Sequence, residues 1–128
     1  MHAYATAGGN DTARLFDSDQ DDRFVATPEA SALFGTGYFN RAKFFEQVFA
    51  EAGNGGNDLA ELHDSGLDDL LLAEGDSARM TNEDLANIFQ QATDFGTVRV
   101  LGTTGTNSRD VRTPLSFIIE YFGTWIDA

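Results

Sequence analysis

The strongest constraint on the fold is a stretch of sequence that occurs twice. Its first copy runs from Ala3 to Ala26 and its second from Ala50 to Ala73, an offset of 47 residues without a gap. Of the 24 aligned positions, 13 are identical. Both copies contain Gly-Gly-Asn-Asp, and both continue with Asp-Asp ten residues after that first aspartate. A fixed internal period indicates a repeat architecture, in which neighbouring units bury one another's apolar faces.

The period divides the chain into a single repeat domain, 1–128, with units at about 1–47 and 48–94 and a degenerate unit at 95–128. Alternating side chains predict strands near 3–7 and 11–17, further strands are expected near 23–26, 59–62 and 97–101, and a fully apolar run predicts one at 70–73. Glycine, asparagine and aspartate between them are typical of turns. The pattern predicts a mostly β fold, specifically a parallel β-solenoid.

One to three short helices are expected between the strands. A threonine followed by proline and glutamate predicts a helix start at 27–34. A capping threonine, an acidic first turn and helically spaced apolar residues favour a helix over 81–95, ended by Gly96. Residues 38–52 fit either a helix capped by Asn40 and ended by Gly53, or a strand from about residue 47 onward, which a helix over 40–45 could precede. The densely apolar segment 115–122 is interpreted as a C-terminal cap.

The charge balance limits the partners. The chain has 21 acidic and eight basic residues, a net charge of −13, and no cysteine. Nucleic acid binding is excluded because phosphate contacts need clustered lysine and arginine. No apolar run reaches the ~20 residues of a membrane span, so membrane insertion is not expected. Disulfides, thiolate zinc sites and thiol catalysis are excluded by composition.

The repeated aspartates are the candidate site. If the two copies stacked as successive coils, equivalent aspartates would lie ~4.8 Å apart and repel one another. A hard cation such as Ca²⁺, bound by carboxylates and turn carbonyls, would offset that repulsion. The alternative is that these aspartates only form turns, through hydrogen bonds to nearby backbone. The predicted metal ligands are Asp11, Asp17, Asp21, Asp22, Asp58, Asp64, Asp68 and Asp69.

The repeated motif resembles a known family. The first copy carries Gly8, Gly9, Asn10, Asp11, Asp21 and Asp22, and the second carries Gly55, Gly56, Asn57, Asp58, Asp68 and Asp69. These residues are similar to the Gly/Asp-rich calcium-binding repeats of bacterial secreted proteins, the RTX parallel β-roll. The family pattern recurs every nine residues, whereas this chain has a 47-residue period. The longer unit also resembles tandem Asp/Gly-rich repeats of large bacterial surface proteins. The resemblance implies Ca²⁺ between coils and an extracellular or cell-surface location.

The function expected from these patterns is structural or adhesive, with self-association through the solenoid ends or neighbouring repeats, head to tail into fibres. An enzyme is not expected, because catalysis needs one asymmetric constellation and the acidic pairs are duplicated. No catalytic or cofactor-binding residue is predicted. One alternative is a carbohydrate-binding or polysaccharide-modifying β-helix. Another is a compact α/β domain with helices at 40–52, 81–95 and 114–122.

Overall fold

The computed structural model describes residues 2–4, 11–27, 29–43, 45, 47–53, 56–65, 68–82, 87–103 and 105–127. These residues form strands and turns, and none of them lies in a helix. Among them, therefore, no helix is long and apolar enough to cross a lipid bilayer. The strands of the first half are β1 (His2–Tyr4), β2 (Thr12–Phe16), β3 (Arg23–Ala26), β4 (Ala30–Gly35), β5 (Tyr38–Lys43), β6 (Gln47–Glu51) and β7 (Leu59–His63). Those of the second half are β8 (Asp69–Gly75), β9 (Ser77–Asn82), β10 (Asn87–Thr93), β11 (Thr97–Gly102), β12 (Ser108–Leu115), β13 (Ile118–Gly123) and β14 (Ile126–Asp127).

The strands form two mixed sheets of seven strands each. The first sheet has the order β1-β5-β4-β3-β7-β11-β13, and the second has the order β14-β12-β8-β9-β10-β6-β2. Within the first sheet only β4 runs antiparallel to its neighbours. Within the second sheet only β9 does so. Each sheet is therefore a parallel sheet interrupted by one antiparallel meander.

One apolar core joins the two sheets. Strands β3, β7 and β11 of the first sheet contribute Phe24, Leu62 and Val100, all fully buried. Strands β8 and β9 of the second sheet contribute Leu71 and Met80 to the same cluster, also fully buried. In the central strands alternate residues face this core, as β7 shows with buried positions at every second residue. The predicted mostly β fold is thus confirmed, including the strands at 23–26 and 59–62.

The prediction of a parallel β-solenoid is wrong, because equivalent strands of the two copies lie in opposite sheets. Strand β2 belongs to the second sheet and its equivalent β7 to the first. Between β2 and β7 the chain changes sheet three times, after β2, β5 and β6. An odd number of changes places the next copy on the other side of the core. Ala13 consequently pairs with Val48 instead of stacking on Ala60.

The predicted helix at 27–34 is also wrong. Its threonine signature belongs to the hairpin between β3 and β4, where the Thr27 N–H donates to the Ala30 carbonyl at 2.9 Å. The Thr27 hydroxyl donates to the same carbonyl at 2.7 Å. A capping residue and a turn residue use the same side-chain chemistry, so the local sequence does not separate the two. The ambiguous segment 38–52 resolves into β5 and β6, without a helix at 40–43 or 45; residues 44 and 46 lie outside the described part.

The predicted helix at 81–95 is wrong because this part of the chain pairs with neighbouring strands. Residues 77–82 and 87–93 form the adjacent antiparallel strands β9 and β10, and 83–86 lie outside the described residues. Gln90 and Ala92 are buried at alternating positions, as a strand requires. Pairing of β10 with both β9 and β6 overrides the helical spacing of the apolar residues. The predicted cap at 115–122 lies mainly in β13, an edge strand with Ile118 and Phe122 exposed.

Candidate functional site

Each acidic turn is held by a serine and a buried aspartate. In the turn between β2 and β3, the Ser18 N–H donates to Asp22 Oδ2 at 2.7 Å, and the Ser18 hydroxyl donates to Asp22 Oδ1 at 2.9 Å. The turn between β7 and β8 repeats this arrangement, with Ser65 N–H to Asp69 Oδ2 at 2.7 Å and the Ser65 hydroxyl to Oδ1 at 2.8 Å. These hydrogen bonds explain why both copies have a serine four residues before the second aspartate of the Asp-Asp pair.

The first aspartate of each Asp-Asp pair links its turn to the next unit. Asp21 Oδ1 accepts the Asn57 N–H at 2.7 Å, and Asp68 Oδ1 accepts the Thr106 N–H at the same distance. Gly56 directly precedes the donor Asn57 and has a φ of +88°. A Cβ on Gly56 would overlap the carbonyl of Gln20, so only glycine allows the two turns to approach. The glycine-rich motif therefore serves docking between units.

Three buried aspartates meet beside the first turn, and we call Asp17, Asp22 and Asp58 the first acidic cluster. Asp17 follows β2, while Asp22 and Asp58 precede the parallel strands β3 and β7 at the same register. One carboxylate oxygen from each lies within 4.8 Å of the other two. The Asp22 N–H donates to Asp58 Oδ1 at 2.8 Å. Oxygens that share a Ca²⁺ ion at 2.3–2.6 Å lie within about 5 Å of one another, so the spacing fits that ion.

The cluster raises the pKa of Asp58 to about 6, from an ordinary value of 3.8. Burial is the main cause, because the side chain is only 4 % exposed and its charged form loses hydration. The Asp22 N–H opposes the shift, whereas the negative charges of Asp17 and Asp22 add to it. Above that pH the buried Asp58 carboxylate is charged, and a bound cation would offset that charge.

An equivalent cluster beside the second turn has a different composition, and we call Asp64, Asp69 and Asn107 the second cluster. Asn107 precedes β12, which pairs with β8, so it takes the place that Asp58 takes in the first cluster. Its amide nitrogen donates to Asp64 Oδ2 at 3.1 Å. Asp64 also accepts the Thr103 N–H and hydroxyl, both at 2.8 Å. Burial raises the pKa of Asp69, and the hydrogen bonds from Ser65 oppose this.

The eight predicted ligands therefore do not form the pairs of equivalent aspartates that stacked coils would give. The predicted pairs Asp17 with Asp64 and Asp22 with Asp69 are not formed, because the two members of each pair belong to different clusters. Asp21 and Asp68 are exposed and serve as backbone acceptors. The carbonyl of Asp11 accepts the Gln47 N–H at 3.1 Å, and its side chain is not part of the first acidic cluster.

Two residues next to Asp22 were not anticipated from the sequence. Gly35, at the end of β4, packs so closely that a Cβ there would overlap Asp22 Oδ1. Tyr38 lies at the start of β5, and its pKa is raised, first by burial and then by Asp22. The only signal for them in the sequence is a Gly-Thr-Gly-Tyr turn, whose partner across the hairpin is decided by register.

Replacement of Gly35 by alanine is expected to destabilise the fold by ~1–3 kcal/mol, the usual range for overpacking a filled site. The new methyl group would displace the Asp22 carboxylate from Ser18. Gly96→Ala is the matched control, because a Cβ at Gly96 meets only the Asp58 carbonyl, at an ordinary 3.7 Å. Urea unfolding of both variants measures the difference. Equal midpoints for the two would contradict the close contact at Gly35.

A shallow cleft of about 480 Å³ lies beside Asp58 on the first sheet. Its lining combines the apolar Leu59 and Ile118 with the paired charges Arg99 and Glu120, whose Nε and Oε1 are 2.9 Å apart. The ion pair continues across the sheet, since Arg99 also lies 3.8 Å from Glu61 and Arg23 pairs with the same glutamate. This row of alternating charges joins four parallel strands across their outer face.

Comparison of the chain with protein-family models, with curated proteins and with solved structures finds no match. The two clusters and the sheet edges are therefore the features from which a function can be inferred.

Proposed function

We propose that this chain is a structural or adhesive repeat module of a bacterial extracellular or cell-surface protein, ordered by Ca²⁺ at the first acidic cluster. The observation that carries the proposal is the contrast between the two clusters. The first has Asp17, Asp22 and Asp58, whereas the second has an asparagine at the place of Asp58. The Asn107 amide donates a hydrogen bond to Asp64 and adds no charge, whereas Asp58 adds a third carboxylate whose charge a bound cation would offset.

The ligand chemistry supports calcium over softer ions. All three side chains of the first acidic cluster supply carboxylate oxygens, the donors that hard cations prefer. The three carboxylates come from two units, Asp17 and Asp22 from the first and Asp58 from the second. An ion held there would join the units and would release them when removed.

The hydrogen bonds support a structural role over catalysis. Asp21 and Asp68 perform the same task, each accepting a backbone N–H from the following unit. Asp22 and Asp69 likewise hold equivalent serines. Repetition of one task at successive places is what a docking element requires, whereas an active site needs different groups at one place.

Calcium is expected to raise the thermal midpoint of the protein at pH 8, because it binds the folded cluster and has no equivalent site in the unfolded chain. Melting is followed by circular dichroism in EDTA, in Ca²⁺ and in Mg²⁺. Mg²⁺ should have a smaller effect, since it demands a tighter octahedral shell and loses its water reluctantly. A midpoint that is the same in EDTA and in saturating Ca²⁺ would remove the ion from the proposal.

The alternative of carbohydrate binding is favoured by one feature, the cleft beside Asp58. Arg99 and Glu120 could hydrogen-bond to sugar hydroxyls there. The side chains that line the cleft in the described part of the chain offer no aromatic ring for a sugar to pack on. Titration of a panel of oligosaccharides against the protein, followed through Trp125 fluorescence and by calorimetry, tests this alternative directly.

A further inference from the structure

The edges of the two sheets have matching polarity. The first sheet begins with β1 and ends with β13, and the second begins with β2 and ends with β14. Since β4 is the exception in the first sheet, β1 and β13 run in the same direction. By the same reasoning with β9, β2 and β14 run in the same direction. A second copy translated along the sheets would therefore meet both edges in parallel orientation.

Some backbone N–H groups of β13 and β2 face away from the neighbouring strand of their own sheet. The Ile118 N–H donates to the carbonyl of Gly96, the residue directly before β11, so this N–H faces β11. In a parallel ladder alternate residues face opposite sides, so the N–H groups of Ile119 and Tyr121 face away from β11. At the other end the Asp17 N–H donates to the Glu51 carbonyl of β6, so the Phe16 N–H faces outward from β2.

Most of the exposed large apolar side chains in the described part of the chain lie on edge strands. Ile118, on β13, is 65 % exposed, Ile126, on β14, is 51 % exposed, and Phe16, on β2, is 56 % exposed. Strands β13 and β14 are separated by two residues in the chain, so they lie at one end of the molecule. Edge strands with apolar side chains pair with other chains unless short length, charge, proline or a cover prevents it, and β13 with six residues and β2 with five are the longer edges of this molecule.

We propose that a second copy of this chain docks head to tail, its β1 adding to β13 and its β2 adding to β14, with both ladders parallel. This inference rests on the proposed structural role and names its partner. Because the two surfaces in contact are different and successive copies are related by translation along the sheets, the association does not close, and each added copy leaves the same pair of edges free. The product is an open filament in which both sheets continue from copy to copy.

The test uses one variant that blocks each end. Ile118→Glu places a charge on β13, and Phe16→Glu places one on β2, where burial against another strand would be costly. Phe39→Glu adds the same charge to an exposed position on the interior strand β5 and is the control. Sedimentation velocity over a roughly hundredfold range of concentration, with negative-stain microscopy, is recorded in EDTA and in Ca²⁺.

The wild type and Phe39→Glu are expected to form filaments whose length grows with concentration, and each end variant alone is expected to stay monomeric. An equal mixture of the two end variants should give a discrete dimer, because one intact edge of each kind remains. If Phe16→Glu alone forms a dimer, β13 pairs with itself and the head-to-tail arrangement is overturned. A wild type that is monomeric in both buffers also overturns it, and the calcium-dependent melt then decides the proposed function separately.

Discussion

Replacement of Asp58 by asparagine is expected to stabilise the protein at pH 8 in EDTA and to abolish its response to calcium. The pKa of Asp58 is raised to about 6, from 3.8, so the folded state holds a proton that the unfolded state releases. The stability from that proton is complete below about pH 4 and is lost as the pH rises through about 6. The gap between the two pKa values corresponds to ~3 kcal/mol of unfolding free energy. The wild type has this stabilisation at low pH and lacks it at pH 8.

The asparagine variant escapes this loss because its amide is neutral at every pH. Its Oδ1 could still accept the Asp22 N–H, and its Nδ2 could donate to Asp17, as Asn107 donates to Asp64. Urea unfolding at pH 4, 6 and 8 measures the effect, with Asp19→Asn as the control. Asp19 is an exposed aspartate of the same turn, so its removal changes the net charge equally. If both variants follow the pH profile of the wild type, the buried carboxylate of Asp58 is not the titrating group.

Replacement of Phe24 by alanine is expected to cost ~3–5 kcal/mol of stability, enough to unfold a large fraction of the chain at moderate temperature. Phe24, on β3, is fully buried and stacks on Phe95 with ring centroids 6.0 Å apart. Phe24 follows Asp22 by two residues, so a cavity there loosens the strand that carries the first acidic cluster. The midpoint of urea unfolding should fall, and calcium affinity should fall with it.

Phe39 offers a matched comparison for this variant. It stacks on Phe34 with centroids 5.6 Å apart, a pair similar to that of Phe24 and Phe95, but it is 43 % exposed. Phe39→Ala is therefore expected to cost about 1 kcal/mol, the contribution of an aromatic pair without full burial. Similar losses for the two alanine variants would mean that Phe24 does not anchor the core between the sheets.

The candidate site could be predicted from the sequence only in part. The duplicated motif identifies the aspartates, and the structure places Asp17, Asp22 and Asp58 among its buried residues. The grouping of these three was not predicted, because it depends on which strands are neighbours. Asp58 joins the first turn because β7 pairs with β3 in parallel, and that pairing joins residues 36 positions apart. Gly35 approaches Asp22 for a similar reason, through the antiparallel pairing of β4 with β3.

The sequence by itself determined the strands of the duplicated stretch, β2, β3, β7 and β8, and the turns between them. Alternation and turn chemistry act over a few residues, so β3 at 23–26 and β7 near 59–62 could be read directly. Tertiary structure alone decided the sheet to which each strand belongs and the fate of the apolar segment 87–93. The chain changes sheet three times between equivalent strands, and this number follows from where the meanders insert. Such pairing is settled by burial across the whole core, which no local pattern encodes.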